Sequence, residues 1–133
     1  RTEEDAERIN FSVDIQPESL QVSADPNLLE QVLINLVQNS TQALREAENP
    51  RVKLSANIDR RGRSVMRVID NGPGIAPEAP EAREKIFLPF FTTKKEGSGI
   101  GLALSKQILR KHGGSLNLAS EAGDTTTEFV LRF

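Results

Sequence analysis

The chain has 133 residues, 27% of them charged and 37% apolar, an ordinary balance for a globular protein long enough to bury a real core. Its formal charge of −2 argues against general nucleic-acid affinity, which needs a basic surface, and leaves room for one nucleotide held by local donors. Cysteine is absent, which excludes disulfides, thiolate zinc sites and cysteine nucleophiles. No run approaches the roughly 20 apolar residues of a membrane helix, and the charged opening RTEEDAER is not a signal peptide. A chain opening on Arg1 reads as a domain excised from something longer, and a cytoplasmic setting is expected.

Ile9 to Ile15 alternates apolar and polar residues, predicting a strand with one buried face, and a second short strand is predicted over Leu20–Ser23. Asp25-Pro26 reads as an N-cap followed by the first helical residue. The stripe Leu28, Leu29, Val32, Leu33, Leu36, Val37, Ala43, Leu44 predicts a helix over 26–47, stopping before Asn49-Pro50. Val52–Asp59 and Ser64–Asp70 form a hairpin pattern around Arg60-Arg61-Gly62-Arg63. Residues 71–99 hold most of the prolines and no long periodic segment; so long a loop is functional or disordered. A helix over Gly101–Lys111 then stops at His112-Gly113-Gly114, and Ser115–Leu118 and Thr125–Phe133 read as the last strands. The interleaving predicts an α/β (α+β) two-layer sandwich, a mixed, mostly antiparallel sheet with helices on one face.

Several groups carry chemistry. Asn35 and Asn39 lie four residues apart on the long helix, one above the other. Either alone would be read as a solvent-facing residue; together, beside an apolar stripe, they offer neutral oxygen donors suited to Mg²⁺ shared with substrate phosphates. The stretch RVIDNGPGI alone reads as a turn. Yet Asp70 at a strand end could accept from the exocyclic amine of adenine, and Gly72 and Gly74 would let a flat ring approach the backbone. Guanine presents a carbonyl oxygen at that edge, and an unpaired buried acceptor costs about 1–3 kcal/mol, so one carboxylate could bias the site to adenine. Gly97-Ser98-Gly99-Ile100-Gly101-Leu102 runs into a helix N-terminus, a phosphate-binding feature that is weak taken alone. Lys94 and Lys95 could add positive charge near a γ-phosphate or simply belong to a solvated loop. His112, the one histidine, reads as a structural helix-end residue, and Phe87, Phe90 and Phe91 as anchors of the long loop.

In this order, LLEQVLINLVQNSTQAL, DNGPGI, IFLPFFTTK, GSGIGLAL and GDTTTEF resemble the N, G1, F and G2 boxes and the closing strand of the ATP-binding catalytic domain of bacterial sensor histidine kinases. The resemblance covers nearly the whole chain. It implies the Bergerat-type ATP-binding fold of the gyrase, chaperone, histidine-kinase and mismatch-repair superfamily, with 1–133 as a single catalytic domain, and among its kinases the look is nearest to the nitrogen-regulation type. By position it implies Asn39 as the principal Mg²⁺ ligand, with Asn35 supporting the metal–phosphate end. Asp70 is implied as the adenine reader, helped by Gly74 and Thr127. Residues 88–98 correspond to the ATP lid, Lys94 to a phosphate contact acting in catalysis with Asn35, and Gly97, Gly99 and Gly101 to the triphosphate cradle. Gly72, Ile75, Thr92, Thr93, Ser98, Ile100 and Leu102 complete the implied nucleotide contacts.

The resemblance also implies function: Mg-ATP bound here donates its γ-phosphate to a histidine on a separate helical dimerisation domain, expected upstream of Arg1, and a response regulator receiver domain takes it next. No nucleic-acid or membrane contact is expected of this domain, which is expected to be a monomer when isolated. Hydrolytic relatives carry a glutamate where Asn35 stands, and an amide is not a useful general base. That favours transfer over hydrolysis. A serine kinase of the anti-sigma type and a non-catalytic nucleotide-sensing module remain the alternatives. The chain departs from the family pattern at APEAPEAREK, as though Pro-Glu-Ala were repeated, at Gln42, where many relatives are basic, and at Thr126, where a glycine is usual.

Overall fold

The computed structural model describes residues 8–73, 85–88, 101–121 and 124–133. Five strands, β1 (Asn10–Ile15), β2 (Arg51–Ile58), β3 (Ser64–Asp70), β4 (Ser115–Leu118) and β5 (Thr127–Arg132), form one sheet in the order β1-β2-β3-β5-β4. β1 runs parallel to β2 and every other pairing is antiparallel, so the sheet is mixed as expected. The helices are α1 (Pro26–Ala43) and α2 (Gly101–Lys111).

Strand register decides which side chains face the helices. Val52 lies opposite Asp70, Leu54 opposite Val68, and Val68 opposite Phe129, which also pairs with Leu118; Leu131 pairs with Leu116. These residues share one face, because side chains alternate along a strand. Their apolar members pack against Val32 and Leu36 of α1 and Ile108 and Leu109 of α2 in a single core. Fully burying each such side chain is worth about 1.5–3 kcal/mol. Both helices therefore cover the same face.

The helix ends follow from named residues. Asp25 caps α1, its Oδ1 accepting from the N–H groups of Asn27 (2.9 Å) and Leu28 (3.2 Å), with Pro26 in the first turn. α2 ends in a Schellman arrangement: Gly114 N–H donates to the Leu109 carbonyl and Gly113 N–H to that of Arg110, with Gly113 at φ +73°. Gly114 is also hemmed in, since a Cβ there would collide with the Arg132 carbonyl of β5.

Three expectations are corrected. All six residues of β1 are exposed, Val13 at 63%, because β1 is the edge strand and its apolar face lies beyond the helices. No strand forms over Leu20–Ser23. Leu20 and Val22 are half-buried and their neighbours exposed, but the segment turns from Pro17 and crosses to Ser64, whose hydroxyl donates to the Gln21 carbonyl, instead of lying along a sheet edge. α1 ends at Ala43, not residue 47; Leu44, Arg45 and Ala47 continue in tightened turns, and the chain reverses at Asn49 with φ +49°.

Candidate functional site

The C-terminal end of β3 delivers Asp70 to the edge of an open cleft of about 770 Å³. The cleft lies between the end of α1 with its following turn (Gln42 to Glu48), the segment Asn71–Pro73, and Asp124 and Thr125 ahead of β5. A second cleft along α1, between Leu29, Leu33, Ile34 and Val37, is almost wholly apolar and holds none of the expected site residues.

Asp70 is 2% exposed, and its Oδ1 accepts from the Gly72 N–H at 3.0 Å. The packing disfavours a side chain at 72: a Cβ would stand 2.9 Å from that same Oδ1 and 3.3 Å from both the Cβ and the carbonyl oxygen of Ala43. Thr127, the first residue of β5, is the direct partner of Asp70 in the β3–β5 ladder. Strand register thus puts the carboxylate and the hydroxyl side by side, and the hydrogen bond to Gly72 ties the carboxylate to a residue that lines the cleft.

Asn35 binds the two helices to each other. Its Nδ2 donates to Ser105 Oγ at 3.2 Å and to the Gly101 carbonyl at 3.4 Å, while its Oδ1 accepts from Gln31 Nε2 at 3.0 Å. Gly101 and Leu102 open α2 at this junction. Asn39 stands one turn further along α1, half-buried. Gly74, Ile75, Thr92, Thr93, Lys94, Gly97, Ser98, Gly99 and Ile100 lie outside the described residues, as do Phe90 and Phe91.

Phe87 is described and meets the core: its ring packs edge-on to Phe129 at 6.1 Å between centroids, and Lys106 Nζ sits 4.4 Å from its centroid while donating to the Leu116 carbonyl. Burial, with the nearby positive charge of Arg110, lowers the Lys106 pKa from its ordinary value. His112 is a structural link: its Nε2 accepts from the Asp25 N–H at 3.0 Å and its Nδ1 lies 2.8 Å from the Ile108 carbonyl, joining the end of α2 to the cap of α1.

Sequence reading missed Gln31, Ala43, Asn71 and Ser105. Gln31 and Ser105 carried a faint signal, each four residues from an expected site residue on its own helix. Asn71 was hidden by the turn it sits in. Asn71 lines the cleft, its Nδ2 donating to the Asn49 carbonyl (3.0 Å) and its Oδ1 accepting from Arg51 N–H (2.6 Å).

A buried carboxylate bonded to a cleft-lining glycine and little space for a side chain at that glycine suit an adenine ring, a helix N-terminus tied to α1 through Asn35 suits phosphates, and amide oxygens on α1 suit a hard cation held jointly with them. Comparison with known proteins agrees on the family. Residues 24–133 match the family model described as histidine kinase-, DNA gyrase B-, and HSP90-like ATPase. The C4-dicarboxylate transport sensor protein DctB of Rhizobium meliloti (strain 1021) is 40% identical over 114 residues, covering 86% of this chain and 18% of that protein. The chain thus spans about a fifth of the length of that relative. The nucleotide-free catalytic domain of the histidine kinase ThkA superposes with a TM-score of 0.81 at 34% identity, covering 98% of this chain and 82% of that one. ThkA in complex with the response regulator protein TrrA matches with a TM-score of 0.76 at 32% identity, over 98% of this chain and 36% of the other. The fold, the cleft and these likenesses lead to one conclusion: the chain belongs to the histidine kinase-, DNA gyrase B- and HSP90-like ATPase family, on its histidine-kinase branch.

Proposed function

We propose that this chain, as one domain over 1–133, binds Mg-ATP and presents the γ-phosphate to a histidine on a separate helical domain of a sensor histidine kinase. The observation that carries the reading is the cluster of Asp70, Thr127 and the cleft-lining Gly72, with α1 running from the cleft wall at Gln42 and Ala43 back to the Asn35–Gly101 junction at the start of α2. ATP supplies the phosphoryl group: its bond to the β-phosphate oxygen breaks as the imidazole nitrogen bonds to phosphorus, and ADP leaves. The chain's own residues do the positioning, which is most of what phosphoryl transfer asks of a protein. Asp70 accepts from the adenine amino group, Gly72 lets the ring approach, and Thr127 supplies a hydroxyl beside the carboxylate. Asn39 would hold Mg²⁺, with Asn35 in support, and the ion would supply charge neutralisation at the phosphates. Lys94, Gly97, Gly99 and Gly101, with Ile75, Thr92, Thr93, Ser98, Ile100 and Leu102 around them, contact the nucleotide.

Transfer is favoured over hydrolysis by the chemistry at Asn35. Its amide is engaged by Gln31, Ser105 and Gly101, and an amide cannot take a proton from water. ThkA forms a complex with a response regulator, which supports a receiver domain as the next acceptor here. Among the described residues no helix is long and apolar enough to cross a membrane. A cytoplasmic, monomeric isolated domain without membrane or nucleic-acid contacts, of nitrogen-regulation type, completes the reading.

The test is phosphotransfer from labelled ATP to a helical hairpin bearing the phosphoacceptor histidine, supplied in trans. The reading expects an acid-labile phosphohistidine on the hairpin and little ATP turnover without it. An acid-stable phosphoserine on another protein, or rapid hydrolysis by the domain alone, would contradict it.

A further inference from the structure

One wall of the cleft is a segment with little regular structure of its own. From Leu44 to Glu48 the chain has left α1, and the last turn of that helix contains no basic side chain to answer its carbonyls, which carry the negative end of the helix dipole. The missing cation comes from far away in the sequence. Arg8, just ahead of β1, donates through Nη1 to the Ala47 carbonyl at 2.9 Å and through Nη2 to the carbonyls of Leu44 (2.5 Å) and Arg45 (2.6 Å). A planar guanidinium is suited to gathering several acceptors in a fixed fork.

The chain directly after this wall is held by Asn71, which lies between Asp70 and Gly72 in the sequence and bonds Asn49 and Arg51. The segment carrying Arg45, Glu46, Ala47 and Glu48 is therefore held between two braces, one next to Asp70 and one in the chain that leads into β1. We propose that Arg8 is a positioning residue for the nucleotide cleft, fixing the 44–48 wall against which the ligand packs without touching the ligand itself. This rests on the reading that the cleft takes an adenine nucleotide. By linkage the effect is reciprocal: a bound nucleotide favours the engaged Arg8, and displacement of the chain ahead of β1 weakens nucleotide binding.

The test uses the whole 133-residue chain and calorimetric titration with Mg-ADP of wild type, Arg8→Ala, Arg8→Gln, Arg8→Lys and Arg63→Ala. Arg63 is a matched control, since its Nε makes a comparable long-range bond to the Phe133 carbonyl (2.7 Å) away from the cleft. Arg8→Ala and Arg8→Gln should each raise the ADP Kd roughly five- to tenfold, Arg8→Lys should recover part of the loss, and Arg63→Ala should bind as wild type. Amides of residues 44–48 should gain hydrogen-exchange protection with ADP in wild type and not in Arg8→Ala. Wild-type affinity in Arg8→Ala or Arg8→Gln, whatever its melting temperature, or an equal loss in Arg63→Ala, would reduce Arg8 to a structural role. Failure of the wild type to bind millimolar ADP would instead overturn the nucleotide reading, and the proposal with it.

Discussion

Asp70 and Thr127 face each other across the β3–β5 ladder, at the last residue of one strand and the first of the other. Because partners in register share a face, the carboxylate and the hydroxyl are fixed side by side by backbone pairing alone. No loop conformation is needed to bring them together. That arrangement places the base-reading end of the proposed site on two interior strands of the sheet.

Gly72→Ala tests how tightly that end is built. A Cβ at 72 must push the Asp70 carboxylate aside, which strains the Gly72–Asp70 hydrogen bond, and it also presses on Ala43. We expect a loss of about 1–3 kcal/mol in chemical denaturation, together with at least tenfold weaker ADP binding. A variant that keeps full stability and affinity would show that the turn yields easily.

Asn35→Ala removes the bonds to Ser105 and Gly101 and leaves the Ser105 hydroxyl, in a fully buried residue, without that donor. The expected cost is about 1–2 kcal/mol, and phosphotransfer should fall further than ADP affinity, since the start of α2 loses its tie to α1. Equal losses in the two readouts would confine Asn35 to ground-state binding.

His112→Ala deletes the acceptor for the Asp25 N–H and the contact to the Ile108 carbonyl. Stability should drop by about 1–2 kcal/mol, while the ADP Kd of the folded fraction stays within about twofold of wild type. A large change in Kd at unchanged stability would assign the histidine to the site.

Asp59 gives the pH dependence. Its Oδ1 accepts from the N–H groups of Arg63 and Arg61, each at 2.9 Å, in the β2–β3 turn where Gly62 has φ +80°. The Arg63 backbone bond foremost, opposed by partial desolvation and aided by Arg61, holds its carboxyl below the ordinary carboxylate value. The folded state therefore favours the ionised form. The stabilisation is complete above the unfolded-state pKa and disappears as pH falls through the lower folded value. The Asp59 carboxyl resonance should titrate below that of a free aspartate, and Asp59→Asn should flatten the acid limb of the stability curve.

Local patterns were legible where one residue type decides the outcome. Asp25-Pro26 started α1, Gly113-Gly114 ended α2, and the alternation in 52–70 gave the hairpin and, through it, the position of Asp70. The places of Asn35, Asp70 and Thr127 in the fold were legible because all three stand on regular elements. What sequence could not show depended on partners distant in the chain. α1 ends at Ala43, where Leu44, Arg45 and Ala47 give their carbonyls to Arg8, and no local signal at 44–47 announces that. The apolar alternation of β1 was real, yet burial depends on the strand's place in the sheet, and an edge strand beyond the helices stays exposed. Asn71 read as a turn former, and its bracing of Asn49 and Arg51 required the fold.

The most direct measurement of the central claim is calorimetric titration of wild type and Asp70→Asn with ADP, a non-hydrolysable ATP analogue and the matching GTP analogue, with and without Mg²⁺. An asparagine can keep its oxygen on the Gly72 N–H and then presents an amide donor where the carboxylate accepted. The account predicts adenine-selective binding by wild type. Asp70→Asn should weaken adenine by about 1–3 kcal/mol, roughly five- to 150-fold, narrowing or reversing the preference against guanine. Equal binding of adenine and guanine nucleotides by wild type, or unchanged adenine affinity in Asp70→Asn, would contradict it.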